Sequence, residues 1–329
     1  NKGVVKTMLY INEKDIKELN LSWDYYINII AKAVASMMKN EYTQPLKPYL
    51  RYKNMENRII AMPAYIGGDF NVAGIKWIAS FPNNINIGIP RAHSVTILNN
   101  ADTGEPLSIF NAAFLSIVRT ASVSGLVIKE FIKARHPKSV NIGIVGFGPI
   151  GRSHLDMAYE ILGDKILNTY IYDINGIDDN YLKKYEDRNI NIMNSWEDVY
   201  GKSDIFITCT TSKKPYIDKK PLDGSLLINV SLRDYKLEVF QYVKNSIIID
   251  DWDEVCRENT DIEKFHQHKG LSKNDVKTIT EMIFENCISN FPQKSSVMFN
   301  PMGMAIFDIA IAASMYSEAL KEGIGTQTE

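Results

Sequence analysis

The sequence is poor in cysteine, carries almost no net charge and has no long apolar run. Its three cysteines match no C-x-x-C or zinc-ligand spacing, so we expect free thiols in a reducing cytoplasm and no metal site. The 37 basic and 39 acidic residues leave a net charge of -2, which gives no reason to expect nucleic acid as a partner. No stretch approaches ~20 uninterrupted apolar residues, and the first residues lack a signal-peptide pattern, so we expect no membrane span.

A glycine-rich turn is the most informative motif. It follows an apolar run at 140–145 and opens a segment with helical periodicity. Its six residues are Gly146, Phe147, Gly148, Pro149, Ile150 and Gly151. A second apolar run ends in an acid, Asp173, 22 residues after Gly151. A strand, a glycine turn, a helix, a strand and an acid at this distance predict a dinucleotide-binding unit, the alternative being an ordinary glycine-rich strand–helix turn.

Asp173 selects between the two nicotinamide cofactors. A carboxylate at this position accepts hydrogen bonds from the ribose hydroxyls and disfavours a 2′-phosphate, so we expect NAD rather than NADP. Arg152, directly after the glycine turn, could accommodate that phosphate. Its position at the start of the helix favours a pyrophosphate contact or solvent instead.

Strand-like runs dominate the first third of the chain. The 329 residues, 45% of them hydrophobic, leave room for two domains. Apolar residues at helical spacing from Trp23 to Val34 predict a helix after a short strand at 8–11. Four runs separated by turn residues then predict a largely antiparallel sheet. They are Arg58 to Ile66, Val72 to Ser80, Ser94 to Leu98 and Pro106 to Phe110.

The rest of the chain alternates between strands and helices. A long helix is predicted from Ala112 to Arg135, and short apolar runs after the glycine turn predict parallel strands to about residue 290. The segment from Met304 to Leu320 predicts a C-terminal helix that returns to the first domain. We therefore expect an α/β protein with a Rossmann dinucleotide-binding domain over 119–299. A mainly antiparallel α+β domain would comprise 1–118 with 300–329.

Two charged residues lie within otherwise apolar segments. Lys76, in the predicted strand at 72–80, is either its one solvent-facing residue or a cleft residue whose pKa is lowered by burial. Arg119, in the predicted long helix, has either a substrate carboxylate or an internal acid as its partner. The same part of the chain carries further cations at Lys47, Arg51, Arg58 and Arg91.

Several motifs together resemble those of the ornithine cyclodeaminase/μ-crystallin family. In chain order they are Gly74 to Trp77, the run from Ala92 to Pro106, Arg119 to Ala121, the glycine turn, and Pro301 to Asp308. The resemblance covers nearly the whole chain. It implies a homodimer built through the N-terminal domain, which would also bind substrate, and an active site in the cleft between the domains.

The resemblance also implies roles for individual residues. Lys76 would be the catalytic lysine, Arg119 would bind a substrate carboxylate, and Lys47 stands where many family members have an arginine for that carboxylate. Thr120 would lie at the cofactor phosphates. We expect further cofactor contacts at Cys209, Thr210, Ser231 and Met302, and further substrate contacts at Arg51, Arg58 and Arg91.

One segment departs from the family pattern. Cyclodeaminases place an aspartate shortly after the strand that corresponds to 226–230, where it handles the substrate amine. Direct alignment puts Leu232 at that position here, and only a shift brings Asp234 into it. We keep Asp234 as a second catalytic candidate, although the departure argues against ornithine cyclisation.

Within the family, four segments are most similar to one branch. They are Gln44 to Arg51, Arg58 to Pro63, Gly74 to Ile78, and Asn300 to Ile306. That branch uses NAD to cleave N-((2S)-2-amino-2-carboxyethyl)-L-glutamate oxidatively to L-2,3-diaminopropionate, a siderophore precursor, and 2-oxoglutarate. The alternatives are an ornithine cyclodeaminase, an imine or alanine-type dehydrogenase that runs reductively, and a μ-crystallin-like protein that binds NADH without catalysis.

Overall fold

The computed structural model describes residues 7–328 and divides the chain into two compact units. The first extends to Ser122 and resumes at Gly303, and the second comprises Val123–Met302. Residues 1–6 and 329, which the domain prediction includes, lie outside the described residues. Within residues 7–328, no helix has both the length and the apolar character needed to cross a membrane.

The described residues form sixteen strands and twelve α-helices, in addition to short 3-10 helices. Up to residue 135 they are β1 (Met8–Ile11), α1 (Glu13–Glu18), α2 (Trp23–Met38), β2 (Tyr42–Thr43), β3 (Tyr49–Tyr52), β4 (Asn54–Ile66), β5 (Val72–Ser80), β6 (Ala92–Asn100), β7 (Pro106–Asn111) and α3 (Ala113–Arg135). Up to residue 302 they are β8 (Val140–Val145), α4 (Pro149–Leu162), β9 (Ile166–Tyr172), α5 (Asp179–Leu182), β10 (Ile190–Ile192), α6 (Trp196–Tyr200), β11 (Ile205–Thr208), β12 (Leu226–Asn229), α7 (Phe240–Val243), β13 (Ile247–Ile249), α8 (Trp252–Val255), α9 (Asp261–Lys269), β14 (Lys277–Thr278), α10 (Ile279–Phe284), α11 (Cys287–Asn290) and β15 (Val297–Asn300). The last two are α12 (Ala305–Glu322) and β16 (Thr326–Thr328).

The first unit is built on an eight-stranded sheet with the order β16-β1-β7-β6-β5-β4-β2, and β3 also pairs with β4. Its pairs are antiparallel except for β1 with β7, which is parallel. The predicted antiparallel sheet is therefore confirmed. One face of the sheet is covered by α12, which packs against β4, β5, β6 and α2. Because side chains alternate between the two faces of a strand, every second residue of β5 points toward α12.

The second unit is built on an eight-stranded parallel sheet with the order β10-β9-β8-β11-β12-β15-β13-β14. The chain runs outward from β8 to β9 and β10 and then crosses to β11 on the other side of β8. In open parallel sheets, ligands bind beyond the carboxyl ends of the strands at such a reversal. The predicted fold class, a Rossmann domain combined with a mainly antiparallel α+β domain, is confirmed.

Strand boundaries agree with the sequence where turn residues bound an apolar run and differ where they do not. β5 has the predicted bounds, Val72–Ser80. β4 begins at Asn54 rather than at Arg58, and it pairs there with β3, which the sequence pattern did not reveal. The first three added residues, 54–56, are exposed at the end of a hairpin, where backbone pairing rather than burial defines the strand.

Candidate active site

Lys76 is buried in the first unit, on the face of the sheet that α12 covers. Its relative exposure is 1%, whereas its neighbour Trp77, on the opposite face, is 44% exposed. It lies between Met62 of β4 and Thr96 of β6, which are also buried. Gly74, two residues earlier, lets α12 approach, because a Cβ there would lie 2.9 Å from Ile309 Cδ1. The solvent-facing alternative for Lys76 is therefore wrong.

Two helices supply the partners of the Lys76 ammonium group. Its Nζ donates to Asp308 Oδ1 of α12 at 2.9 Å and to Ser116 Oγ of α3 at 2.7 Å. Arg119, one turn after Ser116, donates from Nε to the same Asp308 Oδ1 at 3.1 Å. Asp308 is fully buried, and its other oxygen, Oδ2, has no hydrogen-bond partner among residues 7–328. The internal acid considered as a partner for Arg119 is thus Asp308.

The charges of this cluster shift the pKa values of its members. Burial lowers the pKa of Lys76 to about 8; Asp308 opposes this shift, while Arg119 and Lys47 add to it. Burial alone would raise the pKa of Asp308, but Arg119 and Lys76 outweigh it and hold that pKa below its usual value. At neutral pH, Asp308 is therefore a carboxylate, and Lys76 can exchange a proton at modest cost.

Lys47 is the third buried cation of the cluster. Its Nζ donates to the carbonyl oxygen of Gly303 at 2.8 Å. Gly303 has a φ of +83°, and a Cβ there would lie 2.7 Å from Arg119 Nη1, so a glycine is needed at this position. Nearby, the backbone N–H of Ile306 donates to Gln44 Oε1 at 3.1 Å, which satisfies one unpaired donor at the start of α12.

Of the three further predicted substrate cations, Arg58 and Arg91 lie near the same ends of the paired strands β4, β5 and β6, and Arg51 lies on β3, which pairs with β4. The guanidinium groups of Arg51 and Arg58 lie 4.9 Å and 5.7 Å from the centre of the Tyr49 ring. Strand alternation puts Arg58 on the same face as Met62, which pairs with Lys76. Arg91 precedes β6, and its carbonyl oxygen accepts from the N–H of Phe81 at 2.8 Å. The substrate roles of these three arginines stay predictions.

The glycine turn of the second unit has the geometry that a dinucleotide needs. Gly146 has a φ of +90°, and a Cβ there would lie 2.6 Å from the Cys209 carbonyl oxygen. A Cβ on Gly151 would lie 2.1 Å from the Gly146 oxygen, so only glycine lets α4 start this close to β8. A Cβ on Gly148 would meet no protein atom within 4 Å, which leaves its open side for a ligand. Phe147, Pro149 and Ile150 complete the turn, and α4 begins at Pro149.

Asp173 lies beside this turn, directly after β9. Its Oδ2 accepts from the N–H of Phe147 at 2.6 Å, and its Oδ1 accepts from the N–H of Asn175 at 2.8 Å. Arg152 donates to the Phe147 carbonyl oxygen at 3.2 Å and lies 4.8 Å from the centre of the Tyr181 ring. The acid and the glycine turn are therefore directly connected. Together they fit the ribose and pyrophosphate of a dinucleotide.

Asp234 is fully buried at the carboxyl ends of β11 and β12. Its two oxygens accept from Thr210 Oγ1 at 2.8 Å and 2.9 Å, and Tyr216 OH lies 3.3 Å from Oδ2. Burial raises its pKa, although these hydroxyl donors oppose the shift. Leu232 is also buried and has a φ of +65°. Asp234 thus orders the loop that contains Ser231, whose Oγ accepts from the Thr210 N–H at 2.7 Å, and its catalytic role stays a prediction.

The remaining predicted cofactor residues have structural contacts of their own. Thr120 Oγ1 donates to the Ser116 carbonyl oxygen at 2.8 Å. Burial raises the pKa of the Cys209 thiol, and its sulfur lies 3.9 Å from His154 Nδ1. Met302 packs against the apolar core of the second unit. Their cofactor roles stay predictions.

Asp308 and Ser116 are the residues that the sequence-based site prediction missed. Asp308 lies in Ala305–Glu322, whose first half is otherwise almost entirely apolar. A single acid in such a helix indicates a buried ion pair. That signal was available, because Lys76 and Arg119 are the corresponding cations in apolar segments.

The match to a known family extends over nearly the whole chain. Residues 5–323 match the model of the ornithine cyclodeaminase/mu-crystallin family. The N-((2S)-2-amino-2-carboxyethyl)-L-glutamate dehydrogenase of Staphylococcus aureus is 30% identical over 334 residues, which cover 98% of each chain.

Solved structures show the same fold. The Δ1-pyrroline-2-carboxylate reductase of Thermococcus litoralis, in complex with NADH and L-proline, has a TM-score of 0.83 and 23% identity, over 98% of this chain and 100% of that one. An archaeal alanine dehydrogenase dimer with bound NAD has a TM-score of 0.82 and 23% identity, over 98% of this chain and 99% of that one.

Proposed function

Since the chain belongs to the ornithine cyclodeaminase/μ-crystallin family and is an NAD-dependent oxidoreductase, we propose that it cleaves N-((2S)-2-amino-2-carboxyethyl)-L-glutamate oxidatively to L-2,3-diaminopropionate and 2-oxoglutarate. The product would supply a siderophore or a related natural product. The relative from Staphylococcus aureus, named for this substrate, supports the proposal.

The cluster of buried cations is the observation that carries the proposal. Lys47, Lys76 and Arg119 are all buried in the first unit, where Lys76 and Arg119 share the Asp308 carboxylate. Buried cations are costly unless anions accompany them. The proposed substrate carries three carboxylates, and guanidinium and ammonium groups are the natural partners of carboxylates.

The glycine turn and Asp173 would hold the cofactor in the second unit. The N–H groups at the start of α4 would face the pyrophosphate, and Asp173 would accept from the adenosine ribose hydroxyls. Bound NAD would supply the hydride acceptor, and the loss of a hydride from the glutamate-derived Cα would leave a carbon–nitrogen double bond in the substrate.

Lys76 then has the chemistry required for the hydrolysis of that bond. Its pKa of about 8 gives a substantial neutral fraction in mildly alkaline solution. Neutral Lys76 takes a proton from the water that adds to the carbon, and protonated Lys76 returns it to the departing nitrogen. As the carbon–nitrogen bond breaks, Lys76, neutral again, takes the proton that remains on the added hydroxyl group. The carbon then becomes the ketone of 2-oxoglutarate, and the nitrogen becomes an amine of L-2,3-diaminopropionate. General acid–base catalysis of this kind is worth roughly 10²–10⁴-fold.

We propose further that the enzyme is a cytoplasmic homodimer. The face of the first sheet opposite α12 exposes apolar side chains, among them the cross-strand pair Trp77 and Val95 at 44% and 40% exposure. Apolar side chains of this size favour burial against a second copy. The archaeal alanine dehydrogenase dimer supports this part of the proposal.

The test is incubation of the purified protein with NAD and the synthetic conjugate. We expect stoichiometric NADH absorbance and 2-oxoglutarate, the latter identified by mass spectrometry. Ornithine serves as the comparison substrate, because a cyclodeaminase converts it to proline without net NADH. Proline from ornithine, with no 2-oxoglutarate from the conjugate, would overturn the proposal. Tight NADH binding without turnover of either substrate would instead indicate a binding protein.

A further inference from the structure

Asp308 stands between the two cations that the proposed reaction uses. A single oxygen, Oδ1, accepts from Lys76 Nζ at 2.9 Å and from Arg119 Nε at 3.1 Å. The carboxylate comes from α12, whereas the cations come from β5 and α3, so it links three elements of the first unit. All three side chains are nearly or completely buried, which strengthens their electrostatic interaction.

We propose that Asp308 is a positioning residue that holds Lys76 in the orientation and charge state required for proton transfer. This inference rests on the function proposed above, in which Lys76 moves the proton. Asp308 itself touches neither water nor substrate in this scheme and acts through the lysine.

The surroundings of Lys76 explain why a carboxylate is needed. From α3 it faces Arg119 and the neutral hydroxyl of Ser116, and Lys47 adds a further positive charge. From the neighbouring strands β4 and β6 it faces only uncharged side chains at its paired positions, which are Met62 and Thr96. Burial, Arg119 and Lys47 all favour neutral Lys76, and Asp308 is the group that opposes them. Without Asp308 the ammonium form would be lost at a lower pH.

The orientation of Asp308 allows a substitution that removes its charge with little other change. Its Oδ2 is buried and has no hydrogen-bond partner among the described residues. In Asp308→Asn the amide oxygen can therefore remain on Lys76 while the amide nitrogen replaces Oδ2, without breaking another hydrogen bond in that set. The substitution removes the charge and keeps the size. Glu318→Gln is the matched control, because Glu318 is an acid on the same helix that pairs with Tyr25 and Lys321 instead.

The first measurement is the pH profile of kcat/KM for the conjugate. In the wild type, we expect kcat/KM to rise with pH through about 8, as Lys76 becomes neutral. In Asp308→Asn we expect the midpoint to fall by about 1–3 pH units, the usual effect of an opposite charge at this distance. We also expect kcat to fall on the order of 10²-fold because Nζ is less well held, with an unchanged Kd for NAD. Glu318→Gln should retain the wild-type profile.

The second measurement does not depend on turnover. Protein labelled with ¹³C at lysine Cε is titrated by NMR, and the Lys76 signal is assigned by its absence in Lys76→Arg. A lowered Lys76 midpoint in Asp308→Asn supports the inference even if the wild type fails to cleave the conjugate, in which case only the proposed reaction fails. Unchanged pH profiles and unchanged Lys76 titration in a folded Asp308→Asn protein would overturn it.

A third variant covers the case in which Asp308→Asn does not fold. Asp308→Glu keeps the charge and displaces it by one methylene. We expect Lys76 to titrate close to its wild-type midpoint in this variant, with a reduced kcat because the ammonium group is shifted. A wild-type kcat in Asp308→Glu, or a Lys76 midpoint lowered as far as the loss of a charge would lower it, contradicts a positioning role.

Discussion

Burying a lysine in the middle of an apolar strand costs folding free energy unless its ammonium group has hydrogen-bond partners. Lys76 has two such partners within 3 Å. Removing the ammonium group would leave the buried Asp308 carboxylate with Arg119. A Lys76 variant should therefore lose stability, by roughly 3–5 kcal/mol for a broken buried pair, and its folding is checked by circular dichroism. Substitution of Lys76 is nevertheless the most direct test of the proposed mechanism.

Lys76→Met keeps most of the volume of the side chain and removes its proton-carrying group. We expect kcat for the conjugate to fall by roughly 10²–10⁴-fold, the range of a general acid–base contribution. The Kd for NAD should change less than about twofold, because the glycine turn belongs to the other unit. Steady-state kinetics and calorimetric titration with NAD provide the two values.

The matched control for this variant is Lys32→Met. Lys32 is an exposed lysine on α2 whose nearest acid, Asp69, lies 3.9 Å away at the surface. It should retain wild-type kinetics. Wild-type turnover in Lys76→Met would remove Lys76 from the chemistry.

We predict that Asp173 sets cofactor choice by its charge as well as by hydrogen bonding. Asp173→Ser removes the carboxylate that would repel a 2′-phosphate, and Arg152 lies directly after the glycine turn, in α4. We expect the preference for NAD over NADP, measured as the ratio of kcat/KM values, to fall by at least about tenfold. Asp179→Asn, at an exposed acid of α5, should leave this ratio unchanged. A preference for NAD that survives in Asp173→Ser would show that another group excludes the phosphate.

At the scale of helices, the contact between α3 and α4 contains a buried histidine. His154 of α4 lies 2.8 Å from Ser124 Oγ of α3 and 2.8 Å from the Ile150 carbonyl oxygen. Burial lowers its pKa from 6.5 to about 4. Between these two values the unfolded chain binds a proton that the folded chain does not, so the free energy of unfolding falls as the pH falls.

Because of this buried histidine, we expect the free energy of unfolding to fall in acid, and we expect a substitution of His154 to weaken that pH dependence. For the wild type we expect His154 to cost on the order of 3 kcal/mol of stability between pH 6.5 and pH 4. In His154→Gln the pH dependence in this range should be weaker by about that amount, measured by urea unfolding at several pH values. His268→Gln, at an exposed histidine of α9, is the control. Equal slopes for wild type and His154→Gln would contradict the prediction.

Strands were predictable from sequence where turn residues bound an apolar run. Both ends of β5 followed from the residues on either side of its run. The hairpin of β3 and β4 also contains exposed polar residues such as Asn54 and Glu56, which pair through the backbone and give no apolar signal. A single acid in an apolar helix was a visible signal for Asp308, but its pairing with Lys76 and Arg119 joins distant segments and has no local spacing.

At the scale of the whole molecule, the order of motifs along the chain was sufficient to predict the family. The glycine turn was sufficient to predict the dinucleotide-binding unit. The substrate was harder to predict, because cations that are 43 residues apart in sequence, Lys76 and Arg119, share one carboxylate. Which carboxylates of the proposed substrate each cation would bind depends on side-chain directions that periodicity does not encode. The family resemblance supplied these roles, and the structure supplied their common partner.

The exposed face of the first sheet yields the last prediction, which concerns assembly. Trp77 and Val95 are opposite each other on β5 and β6 and point away from α12. In a two-fold dimer built on this face, the same residues of both copies would be buried together.

Trp77→Glu would then bury two carboxylates without partners, which costs several kcal/mol. We expect a wild-type dimer and a Trp77→Glu monomer by light scattering, with the far-ultraviolet circular dichroism unchanged. Ile192→Glu, at an exposed strand residue of the second sheet, should remain dimeric. A monomeric wild type, or a dimer that tolerates Trp77→Glu, would show that this face is not the interface.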